Sequence, residues 1–284
     1  MARATIKEEL PRADVCWLTA QVLRWWKDGH ELLPKIAAAM PVLANYCDAR
    51  MEADEWTPLA ASYADLVCYA VGGLRLRRMV GEFGFQRAAF LPGALVDFGE
   101  PDWEAERDIP WFFSGAWPGF GDGTRQTDLV TAKLAHGSRF IHPGAFGTKP
   151  VGGTAHSGLL YRAARGLAIS HYHSGWPKYT AHRGQNYSAH GVDVLHRWFS
   201  GCDVMLAPDA QVYLTTDEFE RCLRKRRSVK RAKNARQFAL DNFGCARVAQ
   251  GALDYLDGKT PDYRWAERYE REGAQGFRCP PPGG

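Results

Sequence analysis

Ile109-Pro110-Trp111-Phe112-Phe113-Ser114-Gly115 runs into Ala116-Trp117-Pro118-Gly119-Phe120-Gly121-Asp122-Gly123-Thr124-Arg125. The short aromatic run reads as a buried strand, and Thr124 to His136 reads as a helix. Between them, Gly115 to Gly123 is a glycine-rich loop. Such a loop lets a phosphate approach the backbone, and a helix start adds partial positive charge. Arg125 sits in the first helical turn. The spacing fits neither the mononucleotide P-loop nor the dinucleotide fingerprint. A phosphate contact and a plain surface turn are the two readings of this loop.

The same strand–helix alternation continues downstream. Arg139 to His142 is expected as a strand, Gly158 to Arg165 as a helix and Leu167 to His171 as a strand. Val192 to Phe199 is expected as a helix, Asp203 to Ala207 as a last strand, and Thr216 to Asn242 as one long helix capped by Thr216. A helix from Arg247 to Leu256 follows. Upstream, Ala13–Thr19, Pro41–Asp48, Ala64–Ala70 and Arg87–Leu91 read as strands, with helices at His30–Met40 and Leu74–Glu82. Continuous apolar strands separated by helices imply parallel sheets covered on both faces. The fold class is therefore α/β, with two Rossmann-like domains facing a cleft and C-terminal helices closing the structure. The expected divisions are an N-terminal domain at 1–95, an acidic Pro/Gly-containing linker at 96–108, a C-terminal domain at 109–258 and a tail at 259–284 with a mobile end. Ligands of open α/β sheets bind outside the strand C-terminal ends, so the cleft is the expected site.

At 284 residues, two domains are in keeping with ordinary domain size, and 45 % hydrophobic content can supply their cores. No apolar run approaches the roughly 20 residues of a membrane span. Residues 1–10 lack a signal peptide's apolar core, so a soluble, cytoplasmic protein is expected. The seven cysteines are scattered and contain no C-x-x-C pair, which argues against a disulfide framework and a zinc ribbon and for reduced thiols.

His171, His173, His182, His190 and His196 crowd one stretch with Ser174, Lys178, Arg183 and Tyr187. His171 and His173 could supply two metal ligands, but no further ligand lies at suitable spacing except Asp193. No metal is expected. A donor-rich loop for an anionic or sugar-bearing ligand is preferred over a polar loop with no ligand. Asp48 follows a strand end, where a carboxylate can act as general base or simply as a cap. The stretch 216–242 holds nine Lys and Arg, which reads as a solvated helix face or as a grip for phosphates.

The second half resembles group-1 glycosyltransferases of the GT-B fold, and their CgeB-like branch in particular. The resemblance rests on Asp108 to Gly115, Arg125, Leu167 to His171 with Ser174-Gly175, Val192 to Leu206, Thr216 to Phe219, Ala235-Arg236 and Phe243-Gly244. In the first half, Pro41 to Asp48, Tyr63 to Asp65 and Leu91 to Ala94 fit the same branch. The family has an Arg and a Glu eight and five residues before the glycine matched by Gly201; here Asp193 and His196 stand there. The resemblance implies transfer of a sugar, glucose being expected, from a nucleotide-sugar, UDP-linked, without a bound metal or other cofactor. Ser114, Gly115, Arg125, His171, Ser174, Lys178, Tyr187, His190, Asp193 and His196 are the implied donor-binding residues, and Asp48 the implied base. Bacteriophage DNA-modifying glycosyltransferases share this architecture and act on hydroxymethylated bases. Double-stranded DNA is accordingly one expected acceptor, held by Arg75, Arg78, Arg226, Arg227, Lys230 and Arg231. A small molecule or polysaccharide is the other, and a non-catalytic nucleic-acid-binding protein is the reading from a different class.

Overall fold

The computed structural model describes residues 14–19, 29–46, 57–115, 123–169, 177–179 and 182–271. The chain forms two compact units, 1–93 with 248–284 and 94–247. Residues 248–258 thus belong with the first unit, unlike the expected division at 258. No described helix is long and apolar enough to cross a membrane.

The first unit contains β1 (Cys16–Thr19), α1 (Gly29–Ala39), β2 (Val42–Tyr46), α2 (Thr57–Tyr63), β3 (Leu66–Tyr69), α3 (Gly73–Gly81) and β4 (Arg87–Phe90). Its sheet order is β1-β2-β3-β4, all parallel, with β10 (Arg268–Glu270) added antiparallel beside β4. Every residue of β3 and β4 is buried, as expected of parallel strands covered on both faces. Residues 259–271 are an integral part of this unit. Trp265 is fully buried, stacks on Tyr263 at 4.9 Å and meets the edge of Phe90 at 6.2 Å. The Glu267 carboxylate accepts the Gly73 N–H at 2.7 Å, so it caps the start of α3.

The second unit holds β5 (Ile109–Phe112), α4 (Gly123–His136), β6 (Phe140–Ile141), α5 (Gly153–Arg162), β7 (Ala163–Ala168), α6 (Arg183–Ala189), β8 (Asp193–Arg197), α7 (Cys202–Met205), β9 (Gln211–Tyr213), α8 (Thr216–Leu223) and α9 (Val229–Phe243). A last helix, α10 (Cys245–Leu256), starts here and runs into the first unit. The five strands are parallel in the order β6-β5-β7-β8-β9. One face packs Trp111, Phe113, Leu167 and Leu195 under α4 and α8. The other packs Phe112, Ala168 and Val194 under α5 and α6.

Several expected elements differ. Residues 193–197 form a strand, not a helix: Val194 feeds one core and Leu195 the other, so no one-sided helical stripe exists. The expected strand at 203–207 is the single turn α7, and the last strand is the three-residue β9. Residues 163–165, expected in a helix, open β7. The long helix at 216–242 is two helices, α8 and α9. Arg165 Nη1 takes the carbonyls of Cys222 at 2.8 Å and Lys225 at 2.7 Å, which ends α8. Ser228 then caps α9 through the Arg231 N–H. The cap of α8 is Thr215, in a reciprocal capping box with Glu218, and not Thr216.

The expected linker is held to the second unit. Arg236 pairs with Asp97 at 3.0 Å and Glu100 at 2.7 Å. Arg107 donates to the carbonyls of Ala163 at 2.8 Å and His190 at 3.1 Å.

Candidate functional site

In the second unit the strand order reverses between β5 and β7: the chain steps to one side for β6 and to the other for β7. Loops leaving two strands of opposite progression diverge there and open a crevice at their C-terminal ends. Arg183, the first residue of α6, spans that point. Its Nε donates to the Ser114 carbonyl beyond β5, and its Nη1 donates to the Ile169 carbonyl beyond β7 at 2.9 Å. Arg125, in the first turn of α4, is 2 % exposed and lies over the Phe113 ring at 5.2 Å. Arg183 lies over the same ring at 4.6 Å. A Cβ placed on Gly115 would stand 2.5 Å from Nη2 of Arg183 and 3.0 Å from Nη2 of Arg125. Two guanidinium tips therefore meet over one glycine, at the switch point of the sheet. A side chain at 115 would separate them from the backbone they approach.

The Phe113 ring lies under both cations, and two carbonyls hold Arg183, which pairs with no carboxylate among the described residues. Burial lowers its pKa, but an arginine remains charged at neutral pH. Concentrated positive charge in a half-buried setting favours an anionic ligand, and planar guanidiniums suit phosphate oxygens.

Side chains also hold the main chain beneath the pair. The Ser114 N–H donates to the Tyr187 phenol at 2.6 Å, and Ser114 Oγ lies 2.9 Å from the same oxygen. His142, buried just after β6, places Nε2 at 2.8 Å from the Gly115 carbonyl. A carbonyl only accepts, so Nε2 carries the proton. Burial is the main cause that lowers the His142 pKa, and Arg125 and Arg183 add to it. The ring is therefore neutral near pH 7, with Nδ1 unprotonated.

The residues expected to bind the donor divide into groups. Ser114, Gly115, Arg125 and Tyr187 come together at the switch point, although Tyr187 is fully buried. Lys178 lies between β7 and α6, in the left-handed conformation at φ 63°; its N–H donates to the Ser200 carbonyl at 2.6 Å, beside Gly201. Left-handed non-glycine residues are uncommon and concentrate at functional loops. His196 sits on β8, buried against Gly184, and burial pushes its pKa down to about 4. It is a neutral core side chain.

Asp193 and His190 lie elsewhere. Asp193 opens β8 fully buried, accepting from Arg231 at 2.5 and 2.7 Å and from the Ser228 N–H at 2.9 Å, with Arg165 at 3.5 Å. Its oxygens are occupied within the fold. His190 follows α6 at the end opposite Arg183 and bonds Asn186 through Nδ1. His171, Ser174 and Asp48 lie outside the described residues.

The expected phosphate-gripping face is likewise partly used by the fold. Arg231 is locked on Asp193, and Arg227 is half-buried, whereas Arg226 and Lys230 are exposed. Arg78 forms an exposed i,i+4 pair with Glu82 at 2.8 Å, and Arg75 is half-buried.

Arg183 was expected only as one member of the donor-rich stretch, and His142 was not among the expected site residues. Both follow the pattern that singled out Arg125: a basic or donor side chain directly after a strand or at the next helix start.

No protein-family model and no curated protein sequence matches the chain. Solved structures do. HepE of Anabaena, in complex with UDP and glucose, is 12 % identical, with 89 % of this chain and 80 % of that one covered at a TM-score of 0.56. Sucrose-phosphate synthase of Thermosynechococcus elongatus is 12 % identical, with 89 % and 75 % covered at 0.54. TarM is 8 % identical, with 84 % and 54 % covered at 0.55. At such identities the likeness is one of fold. The chain has a GT-B-type fold of two Rossmann-like α/β units.

Proposed function

We propose that this protein is a glycosyltransferase that uses a nucleotide-sugar donor, with the donor's diphosphate held over Gly115 by Arg125 and Arg183. The observation that carries this reading is the convergence of two guanidiniums over one glycine at the switch point of a parallel sheet. The fold shared with HepE, solved with UDP and glucose, supports it and favours a UDP-linked donor.

The chemistry follows from the charge. As the bond between the sugar's anomeric carbon and the β-phosphate oxygen breaks, negative charge grows on the diphosphate. Fixed cations offset that charge most when it is fully developed, which lowers the barrier. Ser114 and Lys178 stand at neighbouring loops as further donors. The acceptor hydroxyl attacks the anomeric carbon and loses its proton to a base, for which Asp48 is the proposed residue. An aligned carboxylate contributes about 10²–10⁴-fold. Glucose remains the expected sugar. Because the arginines supply the offsetting charge, turnover is expected to persist in EDTA.

For the acceptor, the exposed Arg226 and Lys230 support a polyanion such as hydroxymethylated DNA. A small-molecule or glycan acceptor needs no such surface.

The test is calorimetric titration with UDP, GDP, UDP-glucose and GDP-glucose, followed by assay of nucleoside diphosphate release. Micromolar binding of one nucleotide with slow release of diphosphate is expected. Binding of none of them overturns the reading.

A further inference from the structure

Ser114 and Gly115 lie past the end of β5, so no neighbouring strand fixes them. Three side chains do so instead. The Tyr187 phenol accepts the Ser114 N–H, Arg183 donates to the Ser114 carbonyl, and His142 donates to the Gly115 carbonyl. Tyr187 is itself tightly held. Its ring is fully buried, meets Phe112 at 5.7 Å, and lies where a Cβ on Gly166 would be 2.6 Å from Cδ2. Glycine at 166 thus lets the ring rest on the backbone of β7.

We propose that Tyr187 is a positioning residue for the anion cradle: its phenol fixes Ser114, and with it the spot where Arg125 and Arg183 meet, without touching the ligand. This role rests on the nucleotide-sugar reading above. A phenol has one proton and two lone pairs. With the N–H of Ser114 as one partner, the phenol shares a second hydrogen bond with Ser114 Oγ at 2.9 Å, in which either oxygen can donate. Tyr187 sits on the same helix as Arg183, one turn on, so one element sets both the anchor and the cation. Loss of the phenol oxygen leaves the Ser114 N–H without its acceptor, and the strand end shifts relative to the guanidiniums. Small misplacements of preorganised donors lower affinity strongly.

The experiment uses Tyr187→Phe and Ser114→Ala in the full chain, with UDP, inorganic pyrophosphate and uridine as probes. Tyr187→Phe is expected to weaken UDP and pyrophosphate about tenfold, the scale of one buried hydrogen bond, and to leave uridine unchanged. Ser114→Ala is expected to weaken both phosphates about threefold, and the double variant to match Tyr187→Phe, because Tyr187→Phe already removes the Oγ–phenol bond that Ser114→Ala removes. Unchanged pyrophosphate affinity in Tyr187→Phe overturns the role, as does an equal loss for uridine, the mark of general damage. If Tyr187→Phe does not fold, Ser114→Ala removes the Oγ–phenol bond at a half-exposed position while the N–H bond stays, and unchanged pyrophosphate affinity there overturns an anchor that needs both bonds. A wild-type chain that binds neither UDP nor pyrophosphate removes the donor reading together with this one. Wild-type binding with no effect of either variant removes this role alone.

Discussion

The two sheets have the same strand count among the described residues, yet they spend their polar groups differently. In the first, the order β1-β2-β3-β4 advances in one direction, and among the described residues two carboxylates hold backbone N–H groups of the fold. Asp65 accepts the Val42 N–H at 2.8 Å, and Glu267 caps α3. In the second, the order reverses between β5 and β7, and at that reversal Arg183 and Arg125 collect above Gly115. A parallel sheet offers many strand ends, but only a reversal lets the loops part. Cations placed there face a ligand rather than a neighbouring element. On the proposed donor reading, anion recognition falls to the second unit, whose buried carboxylate Asp193 is paired away from that end.

The comparison is open to several tests. The largest expected effect concerns acid stability. His196 is neutral and buried, with its pKa down to about 4 against an ordinary 6.5. On acidification the unfolded chain takes up the proton first, so stability is complete above about pH 6.5 and falls until about pH 4. The shift corresponds to about 3 kcal/mol. Burial shifts His136, His142, His156 and His190 the same way, all within 94–247. Urea unfolding at pH 7, 5.5 and 4 should show this loss, and His196→Asn should flatten it. Equal slopes in the two proteins would contradict a buried neutral imidazole.

Next in size, Arg183→Ala should weaken UDP by about 1.5–3 kcal/mol, the range of a charge-assisted hydrogen bond. Arg77→Ala, on the exposed side of α3, should leave it unchanged. Equal losses from both would erase the contrast between the sheets. Gly115→Ala is subtler. The added carbon meets the tips of two side chains and not backbone, so unfolding free energy should change by less than about 1 kcal/mol. UDP affinity should nonetheless drop about tenfold, because the guanidiniums are pushed off the strand end. A large stability loss with normal binding would make the glycine a packing residue. The smallest effect is expected from Arg226→Ala with Lys230→Ala. If a polyanion is the acceptor, its binding should lose about one unit of salt slope per removed contact. Donor hydrolysis should be unaltered, and titrations of plain and hydroxymethylated duplexes at two salt concentrations read the difference.

Much of the fold was legible because buried parallel strands are written as short apolar runs. Leu66–Tyr69, Arg87–Phe90 and Ile109–Phe112 all lie within expected strands. The failures cluster where that writing is ambiguous. Residues 163–165, Ala-Ala-Arg, have weak β propensity and read as the end of a helix, yet they open β7, where Tyr187 packs on Gly166. The nine cations of 216–242 read as one helix because propensity is blind to Arg165, far away in sequence, which takes the carbonyls at the break. At the site, Arg125 was legible from its place after a strand and a glycine-rich loop. Arg183 stood within a crowd of equally polar neighbours, and tertiary position alone separates it from His190, seven residues on. Asp193 illustrates the converse: a register matched to a family motif placed it at the donor, whereas its three cationic or N–H partners lie on elements that spacing cannot bring together.

The return of the chain to its first unit has a consequence for how the protein comes into being. Residues 94–247 are contiguous, so every partner that this unit needs has been synthesised once the chain reaches α10. The first unit needs Trp265, Glu267 and β10, which pair with segments made some 180 residues earlier. Domains generally fold as units and N-terminal ones first during synthesis, but here the order inverts. The second unit is expected to be complete on the ribosome while the edge of β4 still waits for its antiparallel partner. An unpaired strand edge is a template for misassociation, so truncation before residue 271 should cost solubility more than it costs nucleotide binding.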